Sequence, residues 1–309
     1  MAVELTEAQK ELLKQITGLS CNPGGAINIR ANGGTAVREV TEHINIVGKE
    51  DKPGIDIYIS SECKGETCYI PVVMDESGQV DTVYNDFHIA EGADVTIIAG
   101  CGIHNCGGED SEHDGIHRFY IGKNAKLKYI ENHYGSGDGN GKRILNPVTE
   151  VYMEEGSSCE MEMVQIKGVD STIRTTKSEL AAGAKLVVRE RLMTHGTQYA
   201  ESVYSTELNG DGSSADVVSR SVAREKSYQK YTSTIIGNAA CTGHTECDAI
   251  LMDEARVVAI PELDAACLDA QLVHEAAIGK IAGDQLIKLM TLGLTPEEAE
   301  EQIVNGFLK

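Results

Sequence analysis

The chain has 309 residues, of which 48 are acidic and 27 basic, giving a net charge of -21. This charge argues against nucleic-acid binding, because proteins of that class neutralise phosphates with Lys and Arg. No apolar run approaches the ~20 residues that a membrane helix needs, and the N-terminus lacks the apolar stretch of a signal peptide, so we expect a cytoplasmic protein with neither a nucleic-acid nor a membrane partner.

The N-terminal segment, residues 1–25, predicts one amphipathic helix. Thr6 and Gln9 have the spacing of a capping box. A single apolar stripe follows on one face of the helix, and its members are Leu12, Leu13, Ile16 and Leu19. A helix of this kind must bury its stripe, and we expect it to cap one end of the core.

A weak repeat runs through residues 26–275, the predicted core. Its copies read GADVTI, NAKLKY, GSSCEM, GAKLVV and GSSADV, and they begin at Gly92, Asn124, Gly156, Gly183 and Gly212. Gly or Asn in the first position suits a left-handed backbone conformation, and the apolar residues two apart that follow are typical of a strand with one buried face. Strands at a nearly fixed period predict a β-solenoid or β-sandwich array, and the scarcity of hairpin dipeptides favours a parallel β-helix.

Nine cysteines are spread along the chain. An odd number in a chain without a secretory signal does not indicate a disulfide framework, and buried, inert thiols explain most of them. Cys63 and Cys68 form one candidate metal group. A second lies in CGIHNCGGEDSEHDGIH, which contains Cys101, Cys106, His104, His113 and His117. In both groups four residues separate the cysteines, in place of the two of structural zinc knuckles, so we expect no closed zinc site in either.

Two further candidates lie near the C-terminus. One is CTGHTECD, which contains Cys241, His244, Glu246 and Cys247. The other is the pair His274–Glu275, which we place at a strand-to-helix junction. Neighbouring side chains of an extended chain point to opposite sides, so this pair serves two different metals or one member orients the other.

Nucleotide hydrolysis and nucleophilic catalysis find little support. GSGDGNGKR, residues 135–143, is rich in glycine, but Arg143 stands where a phosphate-binding loop requires Ser or Thr. The sequence also has no G-x-S-x-G motif. We therefore expect this chain itself to bind no nucleotide.

Residues 276–309 predict a helical segment. Thr295, Pro296 and Glu298 have the pattern of an N-cap, a first-turn proline and a capping box. The apolar face of this last helix contains Ala299, Ile303, Val304 and Phe307, and Asn305–Gly306 provides a stop signal. Such a segment could cover the last turn of the solenoid or dock a partner.

The C-terminal motifs carry a resemblance to a known family. The order GHTECDAIL, AIPEL and LVHEAAIGKIAGDQLIKLMTLGLTPEEAEEQIVNGF resembles the C-terminal part of the SufB/SufD scaffolds of iron–sulfur cluster assembly. AGCGIHNC around Cys101 and HRFYIGKNAKLKYIENHYGSG from His117 are similar to the family's middle part. The resemblance implies a right-handed parallel β-helix flanked by helical segments, and a non-catalytic scaffold.

The resemblance also implies roles for individual residues. Cys247 matches the family cysteine that takes up sulfur and helps to hold the cluster, Glu275 its carboxylate partner, and His274 the histidine of the same site. Cys101 matches the cysteine of an internal sulfur-transfer route, although the proline that normally follows that segment is missing here. The tail from Ile278 to Phe307 matches the region that docks the ATPase.

The implied partners are a SufC-like ABC-type ATPase, a second scaffold subunit, a sulfur donor and recipient apoproteins. The chain is shorter than a full SufB. We expect it to work as a homodimer, because a single His–Glu pair could then serve both halves, and to build a transient cluster at the dimer interface.

The chemistry of the implied site fits that function. Thiolates are the preferred ligands of iron–sulfur clusters, and imidazole can replace one of them. A carboxylate holds iron less tightly than thiolate, which suits a site that must release its product. We therefore expect the side chains of Cys247, His274 and Glu275 to converge. Two alternatives stay open, a β-solenoid adaptor that binds the ATPase or another protein without holding a cluster, and an independent metalloenzyme.

Overall fold

The computed structural model is a mainly β protein, a β-solenoid of about eight turns with a short N-terminal helix and C-terminal helices. It describes residues 4–19 and 24–309, so Cys21 and part of the predicted N-terminal segment lie outside the described residues. Two long sheets face each other, and nearly every turn of the solenoid contributes one strand to each sheet. The predicted solenoid is therefore confirmed.

The helices and strands follow one another along the chain with short connections. In chain order they are α1 (Glu7–Thr17), β1 (Ala26–Ala31), β2 (Gly34–Glu39), β3 (Ile44–Gly48), β4 (Gly54–Ile59), β5 (Lys64–Met74), β6 (Val80–Ile89), β7 (Asp94–His104), β8 (Ser111–Ile121), β9 (Lys126–Ser136), β10 (Arg143–Leu145), β11 (Val148–Met153), β12 (Ser158–Lys167), β13 (Ser171–Leu180), β14 (Lys185–Thr194), β15 (Tyr199–Leu208), β16 (Ser214–Ala223), β17 (Tyr228–Gly237), β18 (Thr242–Leu251), β19 (Arg256–Ala265), β20 (Gln271–Gly279), α2 (Gly283–Met290) and α3 (Pro296–Phe307).

The strands form two sheets of the same length. The first has the order β2-β1-β5-β7-β9-β12-β14-β16-β18-β20, and the second the order β19-β17-β15-β13-β10-β8-β6-β4-β3, with β11 pairing β13 and β8. Every pair is parallel except β1–β2 and β3–β4 at the N-terminal end. Inward residues alternate with outward ones along each strand, so each sheet contributes one face to the core.

The turns before the strands of the first sheet explain the sequence repeat. The five predicted left-handed positions all have positive φ, between 54° at Asn124 and 72° at Gly212. Each precedes a strand of the first sheet, which confirms that part of the repeat. A second stack of turns precedes strands of the other sheet, and there Gly196, Glu225 and Asp253 have φ of 62°, 59° and 57°. The repeat did not reveal this second stack, because two of its left-handed residues are acidic.

The N-terminal helix lies on the outer face of the first sheet, across β5, β7 and β9. The capping box of Thr6 and Gln9 is present, as predicted. Gly100 and Gly102 let the helix approach, because a Cβ on Gly102 would lie 3.1 Å from the Leu12 Cβ, and one on Gly100 would lie 3.0 Å from the Ile16 Cβ. The expectation that this helix caps an end was therefore wrong, since it covers a face.

Helix α3 also lies on the outer face of the first sheet. In α3, Val304 and Leu308 pack with Val222 of β16, and the capping box of Thr295 and Glu298 is present. The predicted stop at Asn305–Gly306 is wrong, because α3 continues through both residues to Phe307. No helix within the described ranges is both long and apolar enough to span a bilayer.

The last turn of the solenoid, β19 and β20, is uncovered in the described structure. These two strands are the outermost members of their sheets. The turn exposes five large apolar side chains, those of Ile260, Leu263, Leu268, Val273 and Ile278. His274 and Glu275 lie inside β20, which continues to Gly279, so their predicted position at a strand-to-helix junction is corrected.

Candidate functional site

A thiol, two imidazoles and a carboxylate meet in the core near the middle turns. Cys101 of β7 and His113 of β8 both point inward, and both are buried. The His113 Nδ1 lies 3.2 Å from the Asp81 Oδ2. Arg30 holds the Asp81 carboxylate with two hydrogen bonds of 2.8 and 2.6 Å. The arrangement places a positive group beside the thiol and a fixed carboxylate behind that group.

The charges of this group change the protonation of the thiol. Burial alone raises the pKa of Cys101, but the nearby imidazoles of His113 and His133 outweigh burial and lower that pKa to about 7. Burial lowers the pKa of His113, and the Cys101 and Asp81 charges outweigh it, so the net shift is upward. Because the pKa of Cys101 is about 7, a substantial fraction of the thiol is ionised at neutral pH, and the raised pKa of His113 favours an imidazolium beside it. The thiolate is the reactive form of a cysteine.

Buried polar groups continue from Cys101 towards the C-terminal end of the solenoid. His133 is the direct register neighbour of Cys101 on β9. The Arg174 Nη2 lies 3.2 Å from the His133 Nδ1, and the Arg174 Nη1 forms an ion pair with Glu131. The Arg174 Nε lies 3.7 Å from the Glu190 Oε1. One buried guanidinium thus joins two buried carboxylates across the core.

The next polar groups lead to Cys247. Ser202 and Ser219 each donate a 2.6 Å hydrogen bond to the Glu190 carboxylate. Ser219 of β16 is the register neighbour of Cys247 on β18. The Cys247 thiol points into the core and is 1% exposed. Burial, followed by the charge of Glu190, raises the pKa of Cys247 to about 12, so this thiol is protonated at neutral pH.

His274 ends the line of polar groups in the last turn. It is the register neighbour of Thr245 on β18, on the same inward face as Cys247. Thr245 bonds the Tyr231 hydroxyl at 3.0 Å and the Ser233 hydroxyl at 2.9 Å. The His274 Nδ1 is buried and finds no hydrogen-bond partner among the described residues. Burial is also the main cause of the lowered pKa of His274, so its ring is neutral at pH 7.

Glu275 points to the outer face of the first sheet. Its register neighbour is Glu246 of β18. The carboxylates of Glu275 and Glu246 form a group with the imidazole of His244, in which the three ligand atoms lie within 4.8 Å of one another. His274 and Glu275 therefore point to opposite faces, as predicted.

The expected convergence of Cys247, His274 and Glu275 does not occur in the single chain. Cys247 and His274 share the inward face, and Glu275 lies outside the sheet. Their roles as cluster ligands stay predictions.

The remaining cysteine groups are divided among different environments. All eight cysteines of the described ranges are free thiols. Cys63, Cys68 and Cys241 are buried. Cys106 is exposed, with its Sγ 3.1 Å from the His104 Nε2, whereas His117 points into the core and bonds the Tyr129 hydroxyl at 2.9 Å. The segment from Cys101 to His117 is thus two strands and a turn, which separate its candidate ligands into a buried pair, Cys101 with His113, and a surface pair, Cys106 with His104.

Comparison with known proteins matches this solenoid to one family. A sequence model of the SufBD core domain, from the SUF system of FeS cluster assembly, matches residues 72–307. The chain belongs to the SufBD family. The matched range contains the Cys101 group, the line of polar residues and both faces of the last turn.

Three curated SufBD relatives come from archaea. Each is named an iron–sulfur cluster assembly SufBD family protein. The one from Archaeoglobus fulgidus is 31% identical over 229 residues, which are 74% of this chain and 60% of that protein. The one from Methanothermobacter thermautotrophicus is 27% identical over 282 residues, 89% of this chain and 65% of that protein. The one from Methanocaldococcus jannaschii is 30% identical over 225 residues, 71% of this chain and 69% of that protein. The chain thus spans about three fifths to two thirds of the length of the first two.

Sequence reasoning missed two groupings in this SufBD chain, and the repeat period would have found both. Cys101 and His133 are 32 residues apart, the spacing of the first two repeats. Glu246 and Glu275 are 29 residues apart, the spacing of the last repeat. In a parallel solenoid one period separates register neighbours, so residues one period apart are the ones to test for contact.

Proposed function

We propose that this chain is a non-catalytic scaffold on which iron–sulfur clusters are assembled, in complex with an ABC-type ATPase of the SufC kind. Membership of the SufBD family implies involvement in iron–sulfur cluster assembly. The scaffold role is supported by the buried line of polar groups that runs from the Cys101 thiol to Cys247 and His274. A structural adaptor would not need thiols and an imidazole at the two ends of such a line.

The two ends of this line differ in chemistry, and the difference suits two steps. The imidazoles beside Cys101 lower its pKa, and the larger thiolate fraction that results suits the uptake of sulfur. Cys247 is protonated and buried beside Ser219. Metal binding requires a deprotonated thiol and releases its proton, so Cys247 joins a cluster only when iron arrives. The cluster is the cargo of the scaffold, and its type is open.

The uncovered last turn supports a second scaffold subunit as partner. Edge strands with unpaired backbone groups pair readily with another chain, and the five exposed apolar side chains of this turn would be buried by the pairing. Cys247 lies one strand inside the edge, and His274 lies on the edge strand itself. A second identical chain at this end would bring two sets of these side chains together.

The C-terminal helices support docking of the ATPase. Helix α2 buries none of its residues within the described structure. Ile287 and Met290 of α2, and Leu292 after it, are exposed. Exposed apolar side chains on a short helix are a common feature of helix-docking surfaces. The nucleotide would then be bound and hydrolysed by the partner.

Anaerobic reconstitution with iron and sulfide tests the proposed function. The wild-type protein should gain a visible charge-transfer absorption that survives desalting, and Cys247→Ser should lose it. Cys159→Ser is the matched control, because Cys159 is also a buried, inward thiol with a raised pKa but lies outside the polar line. If wild type and Cys247→Ser give the same bare spectrum even with the ATPase present, the adaptor is favoured.

Removal of residues 284–309 tests the docking surface. Co-purification with the ATPase should be lost in the truncated chain and kept by the wild type. Retention by the truncated chain, with far-UV circular dichroism unchanged, would place the docking surface elsewhere.

A further inference from the structure

A second set of potential ligands lies outside the core, at the C-terminal end of the first sheet. The imidazole of His244 and the carboxylates of Glu246 and Glu275 approach within 4.8 Å of one another. His244 and Glu246 are two residues apart on β18, and Glu275 lies beside Glu246 on β20. Two neighbouring strands thus hold all three side chains on one face of a sheet, with no loop involved.

The imidazole of this group is already oriented. The His244 Nδ1 lies 2.8 Å from the Asp216 Oδ1 on β16, the neighbouring strand of the same sheet. Arg189 in turn bonds the other carboxylate oxygen of Asp216 at 2.6 Å. A carboxylate on one ring nitrogen fixes the tautomer and leaves the other nitrogen free for a metal ion. This is the usual environment of a histidine ligand, and an acidic cluster alone would not provide it.

The charges around the group leave room for a dication. Glu246 lies close to the carboxylate of Asp248, which is two residues further along β18. The Arg220 Nη2 lies 3.9 Å from Glu246, a distance that gives only weak compensation. The charged groups of this site and its direct neighbours are the carboxylates of Glu246, Glu275, Asp216 and Asp248 and the guanidinium groups of Arg189 and Arg220. Four negative charges against two positive charges leave two uncompensated.

The group is also accessible. His244 and Glu246 line a surface cavity of about 490 Å³, whose other walls include Arg189, Arg220 and Lys309. An ion held by the three side chains would keep coordination positions facing this cavity. Three protein ligands with open positions are typical of sites that exchange their ligands, whereas structural sites are closed.

We propose that His244, Glu246 and Glu275 form a binding site for a divalent first-row transition-metal ion, separate from the thiol line in the core. One imidazole with two carboxylates suits Fe(II) and Mn(II), since imidazole binds iron and carboxylates bind the harder ions. The use of this site to hold Fe(II) before it enters a cluster rests on the function proposed above. The metal site itself does not.

Mn(II) titration followed by electron paramagnetic resonance tests the site, because bound Mn(II) loses the six-line signal of the free ion. Wild type should bind one ion, and Fe(II) added without oxygen should displace it. His244→Ala and Glu246→Gln should lose the site, and Asp216→Asn should weaken it by about 10- to 100-fold, the usual effect of removing a group that orients a histidine ligand. Thermal melts of each variant show that the solenoid is intact.

Glu66→Gln is the matched control. Glu66 also contacts an imidazole, with its Oε1 2.5 Å from the His43 Nδ1, but His43 and Glu66 belong to no three-ligand group of the described structure. This variant should bind Mn(II) like the wild type. Wild-type affinity in folded His244→Ala and Glu246→Gln, or no Mn(II) binding by the wild type, overturns the inference. Failure of the proposed function looks different, since reconstitution then yields no cluster although the Mn(II) site is intact.

Discussion

Replacement of Arg174 should show how strongly the polar core depends on one guanidinium. The side chain is 4% exposed, and it lies between the carboxylates of Glu131 and Glu190, which are 1% and 5% exposed. Arg174→Met keeps the length of the side chain and removes its charge. Removing one partner of a buried ion pair costs about 3–5 kcal/mol, because the remaining charge stays buried without compensation. Two serine hydrogen bonds stabilise the Glu190 carboxylate and so reduce the cost of leaving it without Arg174. We therefore expect Arg174→Met to lower the unfolding free energy by about 3 kcal/mol.

The loss of unfolding free energy in Arg174→Met should depend on pH. The positive charges of Arg174 and His133 overcome the effect of burial and hold the pKa of Glu131 well below its usual range. Without Arg174 only the imidazoles oppose the effect of burial, so the pKa of Glu131 is higher than in the wild type and the folded variant gains more from protonation than the wild type does. The difference in unfolding free energy between wild type and Arg174→Met should therefore shrink as the pH falls from 8 to 5.

Urea unfolding followed by far-UV circular dichroism measures this difference, and the absence of tryptophan rules out the usual fluorescence probe. Arg189→Met is the control, since Arg189 pairs with Asp216 at a partly exposed position and such pairs contribute about 0–1 kcal/mol. A second variant, Arg174→Met with Glu131→Gln, should recover part of the loss. A deficit below about 1 kcal/mol, or one that is the same at pH 5 and pH 8, would refute the reasoning.

Three further predictions concern the backbone, the N-terminal helix and acid stability. Gly183→Ala should lower the unfolding free energy by about 1 kcal/mol, because φ is 66° there and the nearest atoms are 3.9 Å from a new Cβ, leaving mainly the cost of the left-handed conformation; an unchanged urea midpoint would contradict this. Gly102→Val should cost about 1–3 kcal/mol through overpacking against Leu12 and speed proteolysis within α1, whereas Gly108→Val, with open space around it, should do neither. Asp81→Asn should make the unfolding free energy fall less steeply at acid pH. Arg30 and His113 overcome burial and depress the pKa of Asp81. The contribution of Asp81 to the unfolding free energy is therefore complete above the ordinary carboxyl pKa of about 3.9 and is lost as the pH falls below that value. Parallel acid unfolding curves for Asp81→Asn and wild type would contradict that account.

Much of the fold is predictable from the sequence, because local rules fix it. The left-handed turn positions of one sheet and both capping boxes follow from residue type alone. The second turn stack does not, because Glu225 and Asp253 take the place of the glycine or asparagine that marks the first stack. Their carboxylates accept hydrogen bonds from the backbone N–H groups of Gly196 and Glu225 in the preceding turns. The end of α3 was also mispredicted, because packing of Val304 and Leu308 on the sheet outweighs the stop signal.

The candidate site was harder to predict, because it depends on the face that each residue takes. The sequence motifs assign Cys247, His274 and Glu275 to one cluster site. The alternation of side chains along β20, however, puts His274 and Glu275 on opposite faces of the sheet. The Cys101 pair with His113 also depends on contact between opposite sheets, which no spacing within one strand reveals. Where the repeat period is known, register neighbours become predictable, while contacts across the core do not.

The two ends of the solenoid are built differently, and this limits how copies can associate. At the N-terminal end, both sheets finish in short antiparallel pairs, β1–β2 and β3–β4, whereas the C-terminal end finishes in two long parallel strands with apolar side chains. Short outer strands discourage further pairing. If two chains join at their C-terminal ends about a two-fold axis, both joining surfaces are used up and only the blunt ends remain outside. Growth would then stop at two copies, and a fold that could extend into a fibre would instead form a closed pair.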